Sequence, residues 1–154
     1  MPARVSHVVA VPDSLLAPLL KQVPTTAHYI QVSNENQAIA IAAGITIGGG
    51  SPLVVMENSG IRAACETVAR VCVLNDVKIA VLISPRGNAW DLNWWAANNV
   101  RDAKAILDLF GFRTTEVHSL SELHKGIEAA LDVVSRRISS VAIAPSVQTL
   151  RANP

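Results

Sequence analysis

Aromatic side chains are scarce in this chain of 154 residues: three Trp, two Phe and one Tyr amount to 4%. Ala, Val, Ile and Leu dominate the apolar half instead, a palette that suits a buried parallel sheet under Ala-rich helices better than an antiparallel sandwich. Cysteine is nearly absent. Cys65 and Cys72 stand seven apart in an apolar periodic segment, which puts them near one helix face, where small buried thiols are common. They imply neither a disulfide framework nor a zinc site. There is no block of like charge: 13 basic residues face 12 acidic ones for a formal charge of +1. The electrostatic footprint of a nucleic-acid or anionic-membrane binder is therefore missing. Long apolar runs are missing too, the longest being of strand length as at 79–83, and no basic leader with an apolar stretch opens the chain. A cytoplasmic protein without membrane or nucleic-acid partners is the expectation.

What is present bounds the architecture. A chain of this length that is 50% hydrophobic encloses one ordinary core, so a single domain over 1–154 is expected. Apolar runs alternate with helical periodicity, and each strand must return through a crossover, which forces parallel pairing. Strands are predicted at 5–11, 29–32, 53–56, 77–83 and 141–144, with a short sixth near 113–117. Helices are predicted at 14–22, 34–47, 61–74, 100–110 and 121–137. The fold class is α/β, a three-layer parallel sheet with helices on both faces. Asp13 and Ser33 read as N-caps, Gly111 as a helix stop, and Gly48-Gly49-Gly50 as another. Residues 84–99 carry Pro, Gly and four Asn without a period and form the one long loop.

The most informative segment is 33–44, where Glu35 opens a helix of small and apolar residues. The helix dipole favours a carboxylate there. At helical spacing Glu35 shares a face with Ala38, Ala42 and Ile45, so it sits at the polar margin of a core-facing stripe. Composition leaves open whether Glu35 complements the helix terminus or performs chemistry.

Glu35 followed by Ala38, Ala42, Ala43 and Gly44 resembles the pyrimidine-domain helix of thiamine diphosphate enzymes. Three further stretches resemble the sulfopyruvate and phosphonopyruvate decarboxylases among them: Val11-Pro12-Asp13-Ser14-Leu15-Leu16, Glu57-Asn58-Ser59-Gly60-Ile61 and Ser84-Pro85-Arg86-Gly87. The resemblance implies that Glu35 hydrogen-bonds the ring nitrogen of the cofactor's aminopyrimidine and selects its imino tautomer, while the thiazolium serves as electron sink. It implies that Asn58, Ser59 and Gly60 face the cofactor, and that Asp13, Ser14 and Arg86 meet the substrate, Arg86 as counter-charge to a sulfonate or phosphonate. Asp13 and Ser14 also read as caps of the first helix, Asn58 to Gly60 as an ordinary strand-to-helix turn, and Arg86 as a surface residue. Two departures accompany the resemblance. Arg62-Ala63 stands where relatives read Gly-Asn, and the loop after Gly87 holds Trp90, Trp94 and Trp95 in place of an acid-Pro-Gln-His run. Those tryptophans read equally as a subunit contact or lid and as packing over the sheet edge. The four histidines form no site.

Thiamine diphosphate needs Mg2+ on hard oxygen ligands. The family supplies them from Gly-Asp-Gly and a downstream Asn, and this sequence has no Gly-Asp pair. No metal ligand is therefore assigned to this chain. The resemblance implies a separate diphosphate-binding beta subunit carrying that motif, a hetero-oligomer such as α2β2 or higher, and a small anionic 2-oxoacid substrate. A carboligase subunit of acetolactate or acyloin type, and a non-catalytic binding or regulatory subunit, are the alternatives.

Overall fold

A computed structural model of the chain describes residues 2, 4–23, 25–89 and 91–151; Trp90 lies outside them. Six strands form one sheet: β1 (His7–Ala10), β2 (His28–Gln31), β3 (Pro52–Glu57), β4 (Ala80–Ser84), β5 (Arg113–Val117) and β6 (Val141–Pro145). Their order is β2-β1-β3-β4-β6-β5, and every pairing is parallel. The central strands β3 and β4 are apolar and buried nearly throughout, whereas the edge strands β2 and β5 carry exposed residues such as His28, Gln31, Thr114 and Thr115. That gradient is what covered parallel sheets require.

The strand period of two divides the core into two layers. Val8, Ala10, Leu53, Val55, Leu82 and Ile143 point to one face, where they meet Leu16 and Leu19 around α1 (Ala17–Leu20), Leu123, Ile127 and Leu131 of α6 (Leu120–Ser135), and Leu150 of α7 (Val147–Arg151). Val9, Val54, Met56, Val81 and Ile83 point to the other. There they meet α2 (Glu35–Ile47), the chain from α3 (Gly60–Ala63) and α4 (Cys65–Thr67), and α5 (Asn99–Leu109). The three-layer α/β expectation holds.

Several boundaries differ from the periodicity. The first helix is one turn, Ala17–Leu20, preceded by Leu16 rather than capped by Asp13. Asp13 accepts instead from the N–H groups of Leu15 and Leu16, at 3.0 and 3.2 Å, in a turn just before it. The cap of α2 is Asn34, not Ser33: its side chain accepts from the Gln37 N–H at 3.0 Å, and the Ser33 hydroxyl donates to the Gln37 carboxamide oxygen at 2.9 Å. The helix expected at 61–74 is broken into α3 and α4 and then widens into a π-helical stretch, Val68–Val73, where Leu74 N–H reaches back five residues to Ala69 O. Apolar spacing does not distinguish a widened turn from an α turn. The loop at 84–99 contains a 3-10 turn, Trp94–Ala96, and ends one residue early because Asn99 already opens α5. Gly49 and Gly111, at φ +84° and +70°, end helices as expected.

Topology fixes where ligands can lie. α1 leaves β1 and α3 leaves the adjacent β3 on opposite faces, so a crevice opens beyond the carboxyl ends of β1 and β3. α5, which follows β4, and α7, which follows β6, likewise lie on opposite faces, which opens a second crevice beyond β4 and β6. Among the described residues no helix is long and apolar enough to cross a membrane.

Candidate functional site

The first crevice collects the residues singled out in the sequence. Glu35 opens α2, partly buried, and its side chain lies against Gly60 at the start of α3. A Cβ on Gly60 would come within 2.8 Å of the Glu35 Oε1 and 2.9 Å of its Cδ. Only a glycine lets the carboxylate rest on that backbone. Beneath it the helix runs on small residues, with Ala38, Ala42 and Ala43 fully buried, so α2 sits close on β1 and β3. Ile45 of the expected stripe is only partly buried.

The turn after β3 is tied down on two sides. Asn58, 3% exposed, donates from Nδ2 to the carbonyl oxygen of Arg86 at 2.7 Å. Its Oδ1 is buried without a partner. On the other side, Glu57 at the end of β3 accepts at Oε1 from the Ser59 hydroxyl (2.6 Å) and from Asn99 Nδ2 (3.1 Å). Asn99, 1% exposed, in turn accepts from Arg62 Nη2 at 2.8 Å, while Arg62 Nη1 pairs with Asp102 at 2.9 Å. Hydrogen bonds from Arg101, the larger contributor, and from Arg62 Nη1 hold the Asp102 carboxyl below its usual range. Sequence reading missed the Glu57–Asn99–Arg62 network. Its signal is faint: an Asn at the end of a polar loop, 42 residues from its partner.

Asp13, Ser14 and Arg86 come together, although 72 residues separate the last two. Arg86 donates from Nη2 to the Ser14 hydroxyl at 2.7 Å, and the same nitrogen lies 3.7 Å from Asp13 Oδ2. The arginine side chain is 13% exposed and that of Asp13 8%, so Arg86 is not a solvated surface residue. Trp95 covers it, with the guanidinium carbon 5.6 Å from the ring centroid, within cation–π reach. Trp94 and Leu92 remain exposed. Behind Arg86, Gly87 takes φ +83°, and a Cβ there would strike the Ala96 carbonyl. Its N–H donates to Asp91 Oδ2 at 3.0 Å, while Asp91 Oδ1 accepts from Asn93 N–H and Nδ2. These bonds, led by that from Gly87, lower the Asp91 pKa. The long loop is thus folded on itself.

The carboxyl edges of β1, β3 and β4 therefore carry one carboxylate on a glycine bed, one unpaired amide oxygen and one screened arginine. No family model matches the chain. It is similar to the sulfopyruvate decarboxylase subunit alpha of Methanothermobacter thermautotrophicus, 24% identical over 144 residues, 92% of this chain and 87% of that protein. It also matches a phosphonopyruvate decarboxylase of Streptomyces viridochromogenes, 42% identical over 60 residues, 37% of this chain and 15% of that protein. In fold it overlays a thiamine diphosphate-dependent 4-hydroxybenzoylformate decarboxylase of Rhodococcus jostii with a TM-score of 0.75 at 17% identity, covering 98% of this chain and 29% of the other. The chain resembles the thiamine diphosphate decarboxylases.

Against the longer members of that group the resemblance spans a minor part: 15% of the Streptomyces protein and 29% of the Rhodococcus one. The crevice offers two acceptors to a ligand that donates hydrogen bonds. Glu35 offers an acceptor fixed at a helix start, and the Asn58 Oδ1 lacks the donor that a buried amide oxygen demands. Among the described residues no group of three or more His, Cys, Asp or Glu could hold a metal ion.

Proposed function

We propose that this chain is the pyrimidine-binding alpha subunit of a two-subunit thiamine-diphosphate-dependent 2-oxoacid decarboxylase acting on 3-sulfopyruvate or 3-phosphonopyruvate. The observation that carries the reading is Glu35 resting on Gly60 in the β1–β3 crevice, in a chain that aligns over 92% of its length with a subunit alpha. When bound, thiamine diphosphate supplies the electron sink for loss of carbon dioxide. This chain's residues would position it. Glu35 accepts a hydrogen bond from the pyrimidine ring nitrogen and holds that proton; a charge-assisted bond in a partly desolvated site is strong. Asn58 Oδ1 would accept from a donor on the ring, and Ser59 and Gly60 shape the turn beneath.

Ser14 and Arg86 orient the substrate's anionic groups. Asp13 lies beside the arginine, so the pair receives an anion without leaving an isolated buried cation in its absence. The Mg2+ and diphosphate contacts belong to a partner carrying Gly-Asp-Gly and a downstream Asn, in a hetero-oligomer such as α2β2.

The test mixes this chain with such a partner and thiamine diphosphate, then measures carbon dioxide release from 3-sulfopyruvate, 3-phosphonopyruvate and pyruvate. Glu35→Gln is expected to lose about 10²–10⁴-fold in turnover with assembly intact. Undiminished turnover in that variant rejects the role of Glu35, and equal rates on all three acids reject the anion-orienting role of Arg86.

A further inference from the structure

The second crevice, beyond β4 and β6, holds a cleft of about 960 Å³. Its apolar floor includes Ile83, Leu107 and Ala144. At the β4 end two buried donors lack an acceptor: the hydroxyl of Ser84, a residue with 0% exposure, and the Nε–H of Arg86. An orphaned buried donor costs free energy, and native proteins keep one only where something else satisfies it. At the far end His118 follows β5, and Arg151 of α7 makes no ion pair among the described residues. β6 alone separates β4 from β5, so at the usual strand spacing the two ends stand about 10 Å apart.

The remaining charges do not reverse this balance. Lys104 lines the wall and pairs with Asp108 at 2.8 Å. Asp91 is committed to Gly87 and Asn93, which leaves Glu116 on the exposed edge strand as the one uncommitted acid. Donors at one end, an arginine and a histidine beside Glu116 at the other, and hydrocarbon between them match one kind of ligand.

We infer that the β4–β6 crevice binds a small organic anion with two charged ends and a short apolar body, in a cleft that meets the crevice of Glu35 at Asn58 and Arg86 but does not include Glu35. One anionic end accepts from Ser84 and from the Arg86 Nε–H, and the other meets Arg151 and His118. Arg86 stands on the divide, with Nη2 turned to Ser14 and Nε unpaired. The inference does not depend on the cofactor assignment.

Glutarate, butyrate and sulfate, titrated separately against the full chain in thermal melts and calorimetry, test it. Glutarate is expected to bind saturably, at least about tenfold more tightly than one-ended butyrate or compact sulfate. Arg151→Gln and Ser84→Ala should each weaken glutarate about tenfold. Without ligand, Ser84→Ala should melt about 3 °C higher, because it deletes an unsatisfied buried hydroxyl. Glu35→Gln should bind glutarate as the parent does. Absence of saturable glutarate binding overturns the inference, as does equal affinity for sulfate, unchanged affinity in both crevice variants, or loss of binding in Glu35→Gln.

Discussion

The two crevices along the carboxyl edge share a topological origin but treat their polar groups in opposite ways. At β1–β3 the carboxylate of Glu35 stays partly open to solvent on a glycine bed, while the turn beneath is held by bonds from Ser59, Asn99 and Arg62. At β4–β6 the donors of Ser84 and Arg86 are sealed away without acceptors, under a loop pinned by Asp91 and Gly87. A preorganised site keeps its reacting group free and its supports satisfied. The contrast is between a crevice whose one carboxylate is reachable and one whose unsatisfied donors are buried.

The sharpest way to break this comparison is to fill the glycine bed. Gly60→Ala puts a methyl group where the Glu35 carboxylate lies, and since φ at Gly60 is ordinary, the fold tolerates the alanine while the carboxylate moves. With a diphosphate-binding partner, turnover is expected to fall about 10²-fold, the usual consequence of a misplacement near 1 Å. The circular dichroism melt should change little. A large loss of melting temperature with turnover per folded molecule intact would reverse the interpretation of both regions.

Gly87→Ala addresses the opposite region and should act on stability. Its φ of +83° and the collision with the Ala96 carbonyl leave no relaxed backbone for a side chain. A cost of about 3 kcal/mol is expected, a fall of roughly 10 °C in the melt. If the loss is under about 1 kcal/mol, the long loop is not pinned at this glycine, and the sealing of Ser84 needs another cause.

Legibility in the sequence divides along the same line. The sheet could be read because its signals are local, apolar runs alternating with helical periodicity, whereas the residues of the first crevice are singled out by a family resemblance, and Glu35 and Gly60 do meet there. The broken helix at 60–73 could not be read, since Val68 and Cys72 keep the apolar spacing of an α-helix through the π-helical stretch. The capping of α2 was displaced by one residue because Ser33 and Asn34 are both good caps, and only the backbone angles of Asn34 decide between them. Least legible were contacts across long separations. The resemblance brings Ser14 and Arg86 to one substrate, but their direct bond and that of Asn99 with Glu57 depend on strand order, and so does the second crevice.

Asn99→Ala sharpens the account of the first crevice. It strips Glu57 of one donor and Arg62 of one acceptor inside a nearly closed region. A buried polar network that loses its bridge costs about 2 kcal/mol. Chemical denaturation should register that loss with the slope unchanged. A neutral result would mean that water replaces Asn99 at Glu57 and that the turn at 58–60 is held by Asn58 and the Ser59–Glu57 bond.

The smallest effect separates both crevices from the core between the helices and the sheet. Burial pushes the Cys72 thiol up to about 11, against a minor opposing pull from Lys78. A folded-state value raised above that of the unfolded chain means the native protein holds its proton more tightly. The resulting stabilisation is complete below the ordinary thiol range and disappears as pH rises through about 11. Well below pH 8, therefore, Cys72 contributes no slope to stability, and Cys72→Ala should shift the melt by the same amount at pH 6 and pH 7, with the difference shrinking as pH rises from 8 toward 11. The partly buried Cys65 should alkylate well before Cys72 in the native state, as a half-accessible thiol precedes a sealed one. Equal alkylation rates would show that the layer under the π-helical stretch opens as readily as the edge of the sheet, and the contrast between a fixed core and its two crevices would fail.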